Sequence, residues 1–190
     1  MSGASNLEQR DIPNALRADP DSRKIRGHAI VFNSRSVNLG GFTEIIRPEA
    51  VERTLREALD VRALVDHNSE KIIGRTRAGT LQLRKDQRGL AIEIDPPNTT
   101  AANDIIENIR LGNVTGMSFA FRVLDEEWRE ENGDPVRDIL DMTISEVSIV
   151  TFPAYGATDV SVAMRSLQKF QEAAGTSVNY LRMVHRNRLA

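Results

Sequence analysis

The 190-residue chain contains no cysteine, which removes disulfides, thiolate metal sites and a cysteine nucleophile together. Histidine is nearly as scarce, with three in all, so a general base working near neutral pH has few places to sit. Neither sign of charge dominates. The 25 basic and 27 acidic residues are interspersed and leave a net charge of −2, so no strong field invites nucleic acid. No apolar run approaches the about 18 residues a membrane helix needs. The opening residues MSGASNLEQR lack the basic-then-apolar layout of a signal peptide. A cytoplasmic, reducing setting is therefore expected, with neither nucleic acid nor membrane as partner. What remains, 40% hydrophobic and 27% charged residues, suits a globular domain long enough to bury a core without staples.

The polar stretch 1–23, interrupted by Pro13 and Pro20, reads as a flexible leader, with order expected from Lys24. Ile25–Phe32 is short, apolar and partly β-branched, the pattern of a strand. Thr43–Ile46 reads as extended and leads to a helix announced by Pro48, with Val51, Leu55, Ala58 and Leu59 as its buried stripe. Further strands are expected at Val61–Val65 and Ile72–Thr76, then a hairpin of Thr80–Arg84 with Leu90–Ile94. Gly79, Gly89 and Pro96-Pro97 punctuate them. A second helix is expected from Thr100, as its cap, to the stop at Gly112. Val114–Leu124 and Met142–Thr151 are the strongest strand patterns, separated by a charged excursion, Asp125–Asp138. Residues 24–164 form the main domain. The tail, 165–190, reads as two helices, one carrying Leu167, Phe170 and Ala174, the other capped by Ser177. The class expected is α+β, mainly β, with an antiparallel sheet or barrel inside two or three helices.

Of the histidines, His185 lies among arginines that would depress its proton affinity, and His28 sits mid-strand. His67 closes the strand Val61–Val65 and opens the loop Asp66–Glu70, where a rigid element aims a side chain beside room for substrate. The same residues also read as a surface histidine in a polar turn, the more ordinary place for one. In Thr115–Val123, Met117, Phe119, Phe121 and Val123 share one face by alternation. Ser118 and Ala120 point the other way, small residues next to Gly116. A nucleophile needs that clearance, and so does a packed helix. Glu146 interrupts the apolar run Ile144–Val150, and an unpaired buried carboxylate is costly. Either a histidine ring or an arginine such as Arg122 would serve as its partner. No metal is implied, because His67 has no histidine at i+4 and no thiolate exists.

Taken in order, several runs resemble the tailed-phage prohead proteases. They are Ile25-x-Gly27-x-Ala29-x-Val31-Phe32-Asn33, Phe42-x-Glu44, and Asp66-His67-Asn68 with Ile73-Gly74-Arg75-Thr76. Gly116-Met117-Ser118-Phe119-x-Phe121 and Ser145-Glu146-Val147-Ser148-Ile149-Val150-Thr151-x-Pro153-Ala154-Tyr155 complete the series, over roughly 24–164. The resemblance implies a capsid-maturation serine endopeptidase of herpesvirus-assembly-protease-like fold, an antiparallel β-barrel surrounded by helices. It implies a catalytic triad of His67, Ser118 and Glu146, although the herpesvirus relatives carry a second histidine at the third role. It implies no cofactor. The substrates would be the scaffold or the major capsid protein's scaffolding segment, and the chain itself by autocleavage. The setting would be the immature shell in the host cytoplasm. A homodimer follows only by analogy with the viral relatives. The competing reading is a catalytically silent assembly or scaffolding module of the same fold.

Overall fold

The computed structural model describes residues 7–13, 16–19, 22–152 and 162–174. Its strands are β1 (Glu8–Ile12), β2 (Leu16–Ala18), β3 (Ile25–Val31), β4 (Thr43–Ile46), β5 (Arg62–Val65), β6 (Asn68–Arg75), β7 (Leu81–Lys85), β8 (Gly89–Ile94), β9 (Gly116–Glu131) and β10 (Asp134–Val150). Its α-helices are α1 (Glu52–Arg56), α2 (Thr100–Arg110) and α3 (162–174). A larger sheet runs β1-β9-β10-β5-β6, with β4 also on β10, and a smaller one runs β2-β3-β8-β7. The class is mixed α+β and mostly strands, but among the described residues the two sheets do not close into one barrel. Between β6 and β7 the chain turns through Thr76–Ala78 and Gly79, at φ 72, so β7 opens the second sheet instead of extending the first. The sheets bury one core between them. Ile30, Ile92 and Ile94 from the small sheet meet Phe119, Phe121, Val147 and Ile149 from the large one, and α2 adds Ile105, Ile106 and Ile109.

β10 organises the large sheet. It pairs antiparallel with β9 along its length, parallel with β4 at Val136–Ile139, and parallel with β5 at Glu146–Ile149. The sheet is therefore mixed, not purely antiparallel. In the interval between β4 and β5, Thr54 of α1 takes a ladder position: its hydroxyl accepts from Ile144 N at 3.1 Å. The charged segment 125–138 is no excursion. It continues the two strands to a turn at Asn132-Gly133, with φ of 55 and 89, the left-handed pair that a two-residue hairpin requires. The charges on β9 are largely solvated, while Arg137 and Asp138 of β10 are buried against ionic partners, so charge there does not signal a loop.

The helices sit near their expected places. α2 is capped by Thr99, one residue before the expected cap, whose hydroxyl accepts from Ala102 N at 3.3 Å. α1 is shorter than its stripe implied: the chain leaves the helix at Arg56, and Ala58, at φ 46, is exposed. Leu167 of α3 is buried with Leu39 and Phe42, and Phe170 packs on them beside Trp128. The second tail helix and His185 lie outside the described residues.

The stretch read as a flexible leader contains β1 and β2 where it is described. β1 is antiparallel to β9, from Glu8 opposite Phe121 to Ile12 opposite Met117. Two of its three core-facing side chains, Glu8 and Arg10, are charged, and only Ile12 is apolar, which hid the strand from a search for apolar alternation. Arg137 donates to Glu8 at 2.8 Å and to Glu44 at 2.9 Å, and Arg10 donates to Glu44 at 2.9 Å and to Glu8 at 2.7 Å. Glu8, Glu44 and Arg137 are each 2% exposed or less. Burial alone would weaken the Arg137 charge, but these carboxylates together hold its affinity for the proton above the ordinary arginine value.

Candidate active site

His67 is held by its turn. Asp66 and His67, at φ 49 and 56, are the two loop residues between Val65 and Asn68, which pair across β5 and β6. The expected five-residue loop is thus a tight hairpin, and β6 begins at Asn68. Asp66 pins the turn to the end of β10: its carboxylate accepts from Thr151 N at 2.8 Å and from the Thr151 hydroxyl at 3.1 Å. Its own N–H donates to Ile149 O at 2.9 Å. A cleft of about 520 Å³ opens beside it, lined in part by Asp66, Lys71, Asp104, Asn113 and Thr151.

Glu146 reaches the same place through a bulge. Ile144 is opposite Phe121 and Glu146 is opposite Ala120, so Ser145 has no partner of its own. Ile144 and Val147 both enter the core although they are three residues apart. Strict alternation would send Glu146 inward with Ile144; the extra residue turns it to the opposite face, as bulges beside functional sites do. The Ser145 hydroxyl secures the distortion by donating to Ala120 O at 3.1 Å.

On that face the register aligns two rows across β1, β9, β10 and β5. One row is Asp11, Ser118, Ser148 and Leu64, and the other is Gln9, Ala120, Glu146 and Arg62. The His67 ring lies over the second row, with Nδ1 paired to the Glu146 carboxylate. The Ser148 hydroxyl donates to the same carboxylate oxygen at 3.2 Å, and Gln9 Nε2 lies 3.4 Å from Nδ1. A ring nitrogen that gives its proton to Glu146 is a donor, so the Gln9 contact is a hydrogen bond only with the amide turned to present its oxygen.

The structure thus brings His67 and Glu146 together and sets Ser118 on the same face, one strand further out. It does not hydrogen-bond Ser118 to His67: the Ser118 hydroxyl is buried and has no partner among the described residues. Arg122, the other partner considered for Glu146, is exposed. His28 is occupied elsewhere, its Nε2 2.9 Å from Asp86. Sequence reading missed Gln9 and Ser148. Ser148 had a signal, because it lies two residues beyond Glu146 on one strand. Gln9 had none, since its strand carries no apolar pattern.

A family model described as Caudovirus prohead serine protease matches residues 12–173, which include all three candidate residues. The chain belongs to this family. It is a serine peptidase, and the prohead protease family acts in capsid maturation, which points to capsid or scaffold proteins as substrates inside the procapsid. No curated protein and no solved structure matches the chain. Among the described residues no helix is long and apolar enough to cross a membrane. A prohead protease needs a nucleophilic serine and a base beside it. Ser118 is a serine on the same face as a histidine–carboxylate pair.

Proposed function

We propose that the chain is a capsid-maturation endopeptidase acting through Ser118, His67 and Glu146. The observation that carries this reading is the pairing of His67 Nδ1 with Glu146 over the face that holds Ser118. A carboxylate at Nδ1 fixes the tautomer whose Nε2 lone pair is free to act as base. His67 Nε2 takes the Ser118 proton as the oxygen attacks the scissile carbonyl. Glu146 stabilises the imidazolium, and Ser148 holds Glu146 in place. His67 then protonates the departing amine, and water releases the acyl-enzyme. The Ser118–His67 hydrogen bond forms in the substrate complex, as catalytic hydrogen bonds often tighten only there.

The substrates in this reading are the scaffold or the scaffolding segment of the capsid protein, and finally the chain itself. Confinement in the shell raises their effective concentration, so a modest catalyst suffices. Ser118→Ala is expected to abolish both scaffold processing and self-cleavage while circular dichroism stays native. Normal maturation of shells carrying that variant would instead favour an assembly module without catalysis. Kinship with the herpesvirus assembly proteases, and the homodimer it suggests, belong to the same proposal; light scattering of the purified chain checks the dimer.

A further inference from the structure

Ser118 is placed for attack and closed to it. Its side chain is fully buried and its hydroxyl unpartnered among the described residues, whereas a nucleophile must let a carbonyl carbon come within about 3–3.5 Å. β1 lies along the outer edge of β9, with Asp11 directly opposite Ser118 and Gln9 opposite Ala120. From there Gln9 reaches the His67 ring, 3.4 Å away. That contact joins the first strand of the large sheet to the turn after β5, so it passes over Ala120 and Glu146, which lie between them in the ladder. Gln9 thus forms a roof over the Ala120–Glu146 row, the row next to that of Ser118. The family match starts at Ile12, leaving almost all of this strand outside the part shared with the family.

We propose that the outer edge of β9 is the substrate-binding site, taking an extended polypeptide as an added antiparallel strand, and that β1 occupies it in cis until displaced. This rests on the reading of Ser118 as nucleophile. An incoming strand replaces the main-chain hydrogen bonds of β1 one for one and gains its affinity from them. The buried charges do not forbid the exchange. When Glu8 and Arg10 leave together, Arg137 and Glu44 still face each other at 2.9 Å, and no lone charge is stranded.

The test labels the full chain with a fluorophosphonate. The Ser118 oxygen bonds to phosphorus, fluoride leaves, and His67 takes the proton. Gln9→Ala removes the roof without touching the core and is expected to raise the labelling rate about fivefold, the scale of one hydrogen bond. A permanent scaffold strand, or a Gln9 that positions His67, predicts an unchanged or slower rate, and either result overturns the proposal. A second variant, Gln9→Cys with Ala120→Cys, locks β1 to β9, since directly opposed strand residues lie within disulfide reach. Because the chain has no other cysteine, oxidation should stop labelling and reduction restore it. Equal labelling of the oxidised and reduced forms at Ser118 would refute displacement while leaving the nucleophile intact. Labelling of Ser118→Ala as fast as the wild type, or no labelling of any form, would instead refute the catalytic reading itself.

Discussion

The left-handed backbone at Asp66 and His67 is the most demanding local feature of the site. Two successive non-glycine residues at positive φ are uncommon, and aspartate and histidine are among the few types that tolerate the region. The turn persists because Asp66 is bonded to both Ile149 and Thr151, so the end of β10 fixes His67. Glu146→Gln keeps the shape of the acceptor but loses its charge and favours the wrong imidazole tautomer. Its kcat should fall on the order of 10⁴-fold with KM nearly unchanged, as steady-state kinetics on a scaffold peptide would show. Ser148→Ala removes one hydrogen bond to Glu146 and should cost far less, on the order of tenfold in kcat. The carboxylate was legible in the sequence because it broke an apolar strand. Its partner was not, since histidine and arginine satisfy a carboxylate equally well and only the register separates His67 from Arg122.

Among the elements, the β10 bulge decides which face the carboxylate serves. Deleting Ser145 restores strict alternation, so either Glu146 turns into the core or Val147 and Ile149 turn out of it. Activity should vanish and the denaturation midpoint fall, and a variant with both intact would show that the bulge is dispensable. Gly89 is a second fixed point: a Cβ there would stand 1.8 Å from the Ile30 carbonyl oxygen. Gly89→Ala should destabilise the chain by about 1–3 kcal/mol in chemical denaturation through forced backbone shifts. Alternating apolar residues made β3, β5, β7 and β8 and the inner halves of β9 and β10 readable. The outer halves were not, because their faces are charged, and the bulges were not, because one extra residue leaves composition and local propensity unchanged.

Over the whole molecule, charge takes up positions that apolar residues usually hold. Arg137 sits among Glu8, Glu44 and Glu126, so replacing it by methionine leaves the buried Glu8 and Glu44 to share Arg10 alone and should cost about 3–5 kcal/mol. Several carboxylates are also held below their ordinary range by partners. Burial pushes the Glu126 carboxyl upward, but the Ser166 hydroxyl and Arg137 outweigh it. Asp86 is lowered by the hydrogen bond from His28 and then by Gly89 N–H, and Glu93 by Lys24 and then Arg26. A group whose folded affinity for protons is depressed stabilises the fold above its unfolded titration range and loses that contribution as pH falls. The melting temperature should therefore hold near neutral pH and decline once pH drops below about 4, the ordinary carboxylate range. The mixed class was readable from strand and helix patterns, whereas the parallel docking of β4 and β5 on β10 joins segments remote in sequence and leaves no local trace.

In the proposed mechanism that remote docking also sets when the enzyme can work. β5 is complete by Val65, yet its partner on β10 begins at Glu146, so the histidine waits for its carboxylate through most of the chain. Contacts of such separation form slowly, after the loops between them have closed. In the proposed mechanism a nascent or half-folded chain therefore lacks its paired base, and proteolysis waits until the last long strand is in place.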